Sequence, residues 1–276
     1  SSVGGTTVAM PLGGKYQQTL MEGSVQTLPV LGAKDVETVS LASWGFDAEI
    51  SKQNSLLGAS YAVVESVAKI VAMGGDYKNI RFSFQEYFEK LGQNPEKWGK
   101  PLASLLGAYD AQINFGLAAI GGKDSMSGTY QDLNVPPTLI SFACANGEKK
   151  NIISPEFKGE GNKVYFFNHI AQENGLPNYD ALKDVYEFIF ENIKAGKIVS
   201  VKTVKEGGVA VALAKMSFGN RLGAEISTPL NVTNSLLAKN IGSLIIESKE
   251  EINHPLLQKI GIINDSEYLT INGLQT

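Results

Sequence analysis

The sequence predicts an α+β protein in which helices pack on β-sheets in two successive domains. Short apolar or alternating stretches, typical of strands, are interleaved with longer stretches of helical periodicity. The 276 residues suffice for one large domain or two ordinary ones. A charged and polar stretch that begins at Asn146 (NGEKKNIISPEFKGEGN) separates two such series. We therefore predict domains at 1–146 and 147–276.

The first series contains two predicted helices and four predicted strands. One helix spans 56–73, with Ser55 as a possible N-cap and Gly74 as a stop signal. This helix is apolar on nearly all sides, so we expect it to be buried. A second helix is predicted from about Pro101 to Phe115, and Gly116 ends it. The strands are predicted at 36–46, 79–84, 117–120 and 138–145.

The second series repeats the alternation. A helix is predicted at 179–194, where Leu182, Val185, Tyr186, Ile189 and Ile193 form one apolar stripe. Another helix is predicted at 209–218, opened by two glycines. Residues 231–233 match a glycosylation sequon, which we interpret as a turn before a further helix. Strands are predicted at 163–168, 198–204, 243–247 and 268–271.

Composition excludes several classes of function. Lys and Arg number 24 against 28 Asp and Glu, giving a net charge of −4, which argues against nucleic-acid binding. Cys144 is the single cysteine, so no internal disulfide forms and a reducing cytoplasm is expected. The longest uninterrupted apolar runs, such as 139–145, are far shorter than a membrane helix needs, so we expect no membrane partner. The chain starts at Ser1 rather than Met, which we interpret as an excised fragment of a longer protein.

The densest candidate site is the segment Gly121-Gly122-Lys123-Asp124-Ser125-Met126-Ser127-Gly128. Its glycines let backbone N–H groups approach an anion, Lys123 adds a positive charge, and Ser125 adds a hydroxyl, as in a phosphate-binding loop. It is not a Walker loop, because Gly122 stands where that motif requires Lys. The alternative is a polar connection between two strands.

Glu65 is the second candidate, because it lies in the middle of the apolar helix 56–73. A buried carboxylate needs a partner, and Lys69 lies one turn later on the same helix face. A metal or nucleotide ligand is one interpretation of Glu65, and a structural ion pair with Lys69 is the favoured one. His169 and His254 are isolated from other metal-ligating residues. Cys144 lies in an apolar strand without a basic neighbour, so we expect a buried, inert thiol rather than a nucleophile.

Three stretches resemble one enzyme family. They are WGKPLASLLGAYDAQINFGLAAIGGKDSMSGTYQDLNVPPTLISFACA (98–145), LGASYAVVESVAKIVAMGG (57–75) and EGGVAVALAKMSFGNRLGAEI (206–226). All three are similar to the second half of phosphoribosylformylglycinamidine synthase, the formylglycinamide ribonucleotide amidotransferase of purine synthesis. The resemblance covers nearly the whole chain. The Gly-Gly-Lys-Asp-Ser-Met-Ser string is specific for the long, single-chain form.

The resemblance implies a two-domain module of the aminoimidazole ribonucleotide synthetase type. Residues 1–146 would be an N-type domain, whose sheet forms half of a barrel, and residues 147–276 a C-type domain with a mixed sheet. The missing partners would be a first synthetase-like half and a glutaminase domain. The ligase uses ATP and Mg2+ to activate an amide oxygen of a small substrate, and ammonia from glutamine then displaces phosphate. The catalytic histidine belongs to the first half, so the resemblance places no catalytic residue in this chain.

The resemblance also assigns site residues. It implies that Gly121, Gly122 and Lys123 contact ATP and that Ser125 contacts the substrate of a site shared with the first half. The short form has a magnesium-binding asparagine at the position of Lys123. Lysine has only donors, so a direct contact with phosphate is the natural substitute.

A second, auxiliary nucleotide site of the family is altered here. Of its four metal ligands only Glu65 is kept. The first Asp of the family aligns near Leu31, position 69 is Lys, and the last motif reads Thr203-Val204-Lys205-Glu206-Gly207-Gly208. We hypothesise that this site has lost its nucleotide, that Lys69 replaces the cation, and that no cofactor binds tightly to the isolated fragment. We expect the fragment alone to be inactive and to form a homodimer through its barrel-forming face. The alternative function is a purely structural half with a degenerate nucleotide site.

Overall fold

A computed structural model describes residues 3–33, 35–229 and 236–275, so the turn expected at 231–233 lies outside the described residues. Within those ranges the chain alternates strands and helices, as the sequence pattern predicts. The helices are α1 (Ala48–Gln53), α2 (Ser55–Ala72), α3 (Pro95–Phe115), α4 (Tyr179–Lys194) and α5 (Gly208–Phe218). The strands are β1 (Leu12–Gly13), β2 (Thr19–Leu20), β3 (Ser24–Thr27), β4 (Thr38–Gly45), β5 (Arg81–Tyr87), β6 (Ala118–Lys123), β7 (Thr129–Tyr130), β8 (Leu133–Asn134), β9 (Thr138–Glu148), β10 (Lys163–Phe167), β11 (Ile198–Thr203), β12 (Gly223–Ile226), β13 (Leu244–Ser248), β14 (Leu257–Asn264), β15 (Leu269–Ile271) and β16 (Leu274–Gln275).

The first sheet has the order β3-β4-β9-β5-β6 and is covered by helices on one face only. All neighbouring strands are antiparallel except β5 and β6, which are parallel. Residues alternate along β4, so Val39 and Leu41 are buried under α2 while Trp44 is 49% exposed on the open face. Phe142 and Cys144 of β9 share that open face. The sheet therefore presents one uncovered, partly apolar surface.

The second sheet has the order β11-β13-β10-β14-β12-β15-β16 and has core residues on both faces. Along β10, Tyr165 and Phe167 pack with α2 and α4, while Val164 and Phe166 pack with α5. Successive side chains of β10 point to opposite faces of the sheet, and both faces are buried. The sequence of the strand, KVYFF, is therefore apolar at nearly every position.

Helix α2 joins the two sheets. It contacts β4 and β9 of the first sheet, β11 of the second sheet, and helices α3 and α4. One continuous hydrophobic cluster accordingly includes residues from both sheets. The division at 146/147 stays a prediction, although every strand of the first sheet precedes residue 149 and every strand of the second follows residue 162.

Helix α2 is also long and apolar enough, by length and composition, to cross a membrane. Its apolar character was not evident from uninterrupted apolar runs, because polar residues interrupt it. In the folded chain 78% of that stretch is buried inside the protein. The helix carries Glu65 and Lys69 in its centre. A single buried helix of this kind is weak evidence for a membrane span.

Most predicted elements are confirmed, although several predicted boundaries were wrong. Helix α3 begins at Pro95, six residues before Pro101, because the Asn94 side chain caps it by accepting from the Glu96 N–H. The N-cap of α2 is Asn54 rather than Ser55. Strands β5, β6 and β9 continue beyond their predicted ends, to Tyr87, Lys123 and Glu148. Helix α1 and strands β1, β2, β3, β7, β8, β12, β14 and β16 were not predicted.

Helices α2 and α3 approach each other unusually closely at Gly107. A Cβ atom on Gly107 would lie 2.1 Å from the Leu56 carbonyl oxygen of α2. The Ser60 hydroxyl of α2 also donates to the Gly107 carbonyl at 3.2 Å. The two helices are thus in backbone contact, and only glycine fits at this position.

We predict that Gly107→Ala destabilises the chain by about 1–3 kcal/mol, because the added methyl group must displace a backbone carbonyl. Gly99→Ala is the matched control on the same helix, since nothing lies within 4 Å of a Cβ there. That control should be neutral or stabilising by up to about 1 kcal/mol. Urea unfolding measures both, and equal stabilities of the two variants would contradict the close contact.

Candidate functional site

A cavity of about 230 Å³ lies where α2, β4 and β11 meet the start of α5. Its wall is rich in charged side chains, with four lysines and two glutamates. The cavity brings together most residues that the sequence places in the altered auxiliary site, including Lys69, Thr203, Lys205, Glu206 and Gly208. Leu31, which the sequence also placed there, is fully exposed and does not line the cavity. The other lining residues are Leu20, Met21, Glu22, Trp44, Lys202, Val211, Ala212 and Lys215.

The buried Glu65 carboxylate is held between two lysines beside this cavity. Its Oε1 lies 2.6 Å from Lys69 Nζ and 2.6 Å from Lys205 Nζ. Its Oε2 accepts from the Phe46 N–H at 3.2 Å. Glu65 is 1% exposed, so this carboxylate is neutralised inside the protein by two attached ammonium groups.

The two lysines have different electrostatic surroundings. Burial, together with repulsion from Lys205, lowers the pKa of Lys69 despite the nearby Glu65 carboxylate. Burial alone would lower the pKa of Lys205 as well, but Glu65 outweighs it and the pKa is raised. Lys69 Nζ also donates to the Trp44 carbonyl at 2.7 Å and lies 4.4 Å from the centre of the Trp44 ring.

A second buried ion pair, which the sequence did not indicate, lies in the same wall. Lys202 Nζ lies 2.5 Å from Glu22 Oε1, and the Thr203 hydroxyl donates to Glu22 Oε2 at 2.7 Å. Burial would raise the pKa of Glu22, but these two partners outweigh it and the pKa is lowered. Glu22 and Lys202 are 180 residues apart, so no local pattern could have paired them.

The donor set around Glu65 does not fit a divalent metal ion. Mg2+ requires several oxygen ligands, whereas Glu65 is surrounded by two ammonium groups that compete for the same oxygen. In the part of the chain that the structure describes, no three His, Cys, Asp or Glu side chains converge as a metal site would need. We therefore derive no chemical step through a metal bound at Glu65.

The glycine–lysine–serine segment lies elsewhere, at the free edge of the first sheet. Gly121, Gly122 and Lys123 belong to β6, the last strand of the sheet, rather than to a loop as expected. All three are exposed. Ser125 follows the strand and pairs with β5, donating its N–H to the Glu86 carbonyl and accepting from the Phe88 N–H. The segment is therefore a rigid extension of the sheet edge.

Contacts within the segment leave its charged group available. The Lys123 ammonium donates to the Asp124 carbonyl at 3.3 Å and forms no ion pair with any described residue. The Ser125 and Ser127 hydroxyls lie 3.0 Å apart. A Cβ on Gly122 would lie 2.3 Å from the Phe84 carbonyl oxygen, so strand packing by itself requires this glycine. The assignment of these residues to a ligand stays a prediction.

Glu86 on β5 is a neighbour of this segment that the sequence did not single out. Burial and the nearby Asp124 carboxylate raise its pKa to about 6. Its buried Oε1 has no hydrogen-bond partner among the described residues. A carboxyl group in these surroundings exchanges a proton close to neutral pH.

The two histidines have ordinary structural environments, whereas the cysteine differs from its expected one. His169 is buried, hydrogen-bonded to the Ile241 carbonyl and the Asn178 N–H, and burial lowers its pKa to about 4. His254 packs against the Phe188 ring and lies 3.3 Å from Asp184. Cys144 is exposed on the open sheet face rather than buried, which corrects the expectation of a buried thiol.

Comparison with known proteins confirms the resemblance and the fold. No family model matches the chain. The chain is 27% identical over 234 residues to the phosphoribosylformylglycinamidine synthase subunit PurL of Sulfurimonas denitrificans, covering 78% of this chain and 31% of the relative. The chain thus spans about a third of the length of this relative.

Solved structures extend the likeness to the whole fold. PurLQS from Thermotoga maritima matches with a TM-score of 0.72 at 13% identity, covering 98% of this chain and 49% of that one. PurL from T. maritima complexed with ATP matches with a TM-score of 0.66 at 15% identity, covering 90% and 38%. The chain has the aminoimidazole ribonucleotide synthetase-like fold that these proteins share.

We predict that Glu65→Gln destabilises the chain by about 3–5 kcal/mol, because it leaves two partly buried ammonium groups without a counter-charge. Lys205→Met is the matched control, since it leaves the Glu65–Lys69 pair intact, and its cost should be about 1 kcal/mol. Chemical unfolding at neutral pH distinguishes them. A Glu65→Gln cost no larger than that of Lys205→Met would show that the carboxylate is not the centre of this network.

Proposed function

We propose that this chain, a homologue of the PurL subunit of phosphoribosylformylglycinamidine synthase, forms the second synthetase-like half of such a ligase. The full enzyme would convert formylglycinamide ribonucleotide, glutamine and ATP to the amidine in the cytoplasm. This half would supply part of the ATP and substrate site, while the first half would supply the catalytic groups. Alone, the chain would be inactive.

The exposed edge formed by Gly121 to Ser125 is the observation that carries this proposal. An ammonium group that has no carboxylate partner among the described residues, next to exposed glycine backbone, suits an anionic ligand such as a nucleotide phosphate. A cavity of about 330 Å³ beside this edge is lined by Ser127 and Gly128 but not by Gly121 to Ser125. A binding site that uses them would need walls from another domain, as a shared site between two halves would have.

The open face of the first sheet supports the proposed partner. Trp44 and Phe142 are paired neighbours on β4 and β9, and they are 49% and 44% exposed. Ala42 and Cys144 continue the same face one step along the two strands. We propose that the first half covers this face in the full enzyme. In the isolated chain a second copy would cover it.

The charged cavity supports the loss of the auxiliary nucleotide site. Glu65 is neutralised by Lys69 and Lys205, so the place of a cation is taken by attached ammonium groups. We propose that this cavity holds no magnesium nucleotide and serves the stability of the module. The purely structural alternative would extend this role to the whole chain, and the unpaired Lys123 at the sheet edge speaks against it.

Two variants of the full-length ligase test the proposed site. We expect Ser125→Ala to raise the KM for the ribonucleotide substrate about tenfold, as expected for one lost hydrogen bond to a charged group, and to leave the KM for ATP unchanged. Lys123→Met should do the reverse, so each variant is the control for the other. Unchanged kinetics in both variants would favour the structural alternative.

Calorimetry of the 276-residue chain tests the auxiliary cavity. We expect no micromolar, magnesium-dependent ATP binding, because the oxygen ligands that a metal–phosphate complex requires are replaced by lysines. The Lys123→Met variant serves as a control that removes ATP binding at the sheet edge. Titrations with excess chelator identify the part of the ATP binding that depends on magnesium. Micromolar binding that needs magnesium and persists in Lys123→Met would contradict the proposal.

A further inference from the structure

Helix α3 has a second apolar face that no described part of the chain covers. Its inner face, with Ser104, Gly107, Ala108 and Ala111, packs against α2. Its outer face consists of six large side chains that are about half exposed or more. They are Trp98 (55%), Leu102 (57%), Leu105 (55%), Leu106 (49%), Tyr109 (60%) and Ile113 (63%).

These six residues, the outer stripe of α3, lie on one line along the helix. Their spacing of three, four or one residues keeps them within an arc of about 100° at 3.6 residues per turn. None of the exposed residues between Trp98 and Ile113 is charged. Isolated exposed apolar residues are common, but a continuous charge-free stripe four turns long marks an interaction surface.

The basic neighbours of the stripe are already paired within the chain. Lys97 and Lys100 both form ion pairs with Glu89, which is 5% exposed. The Asp110 carboxylate accepts from the neutral Asn114 side chain at 3.1 Å, and its other oxygen is buried. The stripe itself carries no charge, so its recognition depends on apolar contact.

We propose that the outer stripe of α3 binds the same stripe of a second copy of this chain, as an antiparallel helix pair around a two-fold axis. Two copies of the stripe can pair in opposite directions, because the midpoint of the stripe falls near Leu105 and Leu106. The Trp98 end of one copy would then contact the Ile113 end of the other. The antiparallel arrangement also opposes the two helix dipoles favourably.

The area is sufficient for a specific contact. Six large side chains that are about half exposed can bury roughly 500 Å² per copy, or about 1,000 Å² in the pair, which is at the lower limit for a specific interface. The contact should therefore be reversible and concentration-dependent. It lies on the helix side of the first sheet, whereas the face with Trp44 and Phe142 lies on the opposite side. The two contacts can consequently be broken separately.

Sedimentation velocity over a range of concentrations tests this contact in the 276-residue chain. Phe142→Glu serves as the background, because a charge on the open sheet face removes association through that face. We expect the Phe142→Glu variant to remain a reversible dimer. The double variant Phe142→Glu with Leu105→Glu should be monomeric over the same concentrations, with a dimer dissociation constant raised at least about tenfold. Both positions are substantially exposed, and thermal unfolding checks that each variant is folded.

A matched control places the second charge elsewhere. Phe142→Glu with Ile170→Glu also adds a charge at an exposed apolar residue, outside α3, and should remain a dimer. A monomeric Phe142→Glu variant, or a dimer that Leu105→Glu leaves intact, would overturn the proposal. These measurements do not depend on ligase activity, so the proposed function and this contact can fail independently.

Discussion

The central constraint on this structure is a carboxylate in the middle of its most buried helix. Helix α2 touches both large sheets, and Glu65 lies at 1% exposure on it. A lone buried charge of this kind would cost several kcal/mol. Lys69 from the same helix and Lys205 from the segment after β11 share its Oε1, so the ion cluster ties the helix to the second sheet. The arrangement of the charged cavity follows from this requirement.

The chain separates two kinds of polar surface. Around α2, acidic and basic groups are paired with each other, as in Glu65 with Lys69 and Glu22 with Lys202. At the edge of the first sheet, Lys123 is exposed and keeps its charge available. Paired groups contribute to stability and to the orientation of the elements, whereas an unpaired ammonium can serve a ligand. This contrast is the basis for the binding role that we propose for the sheet edge and the structural role that we propose for the cavity.

Local sequence patterns predicted those features whose causes are local. The limits of α4 follow from its amphipathic stripe, and the Glu65–Lys69 pair follows from their spacing of four residues. The predicted helix α3 was too short because Pro101 resembles a helix start. The true start, with Asn94 as the N-cap and Pro95 as the first helical residue, carries the same signal six residues earlier. The Glu22–Lys202 pair depends on strand pairing across the chain, which no local window contains. The outer stripe of α3 was not predicted, because whether an apolar helix face is covered depends on tertiary packing that a local pattern does not contain.

The attached counterions of Glu65 change how the module responds to its surroundings. A protein that recruits a cation from solution gains stability with the concentration of that ion and loses it to chelators. Here the counter-charges are Lys69 and Lys205, which belong to the same chain as the carboxylate, so their local concentration does not depend on the surrounding solution. If the auxiliary site has lost its nucleotide, as we propose, the folding equilibrium would not depend on the supply of magnesium or nucleotide in the cell, and a newly made chain would close its core without either.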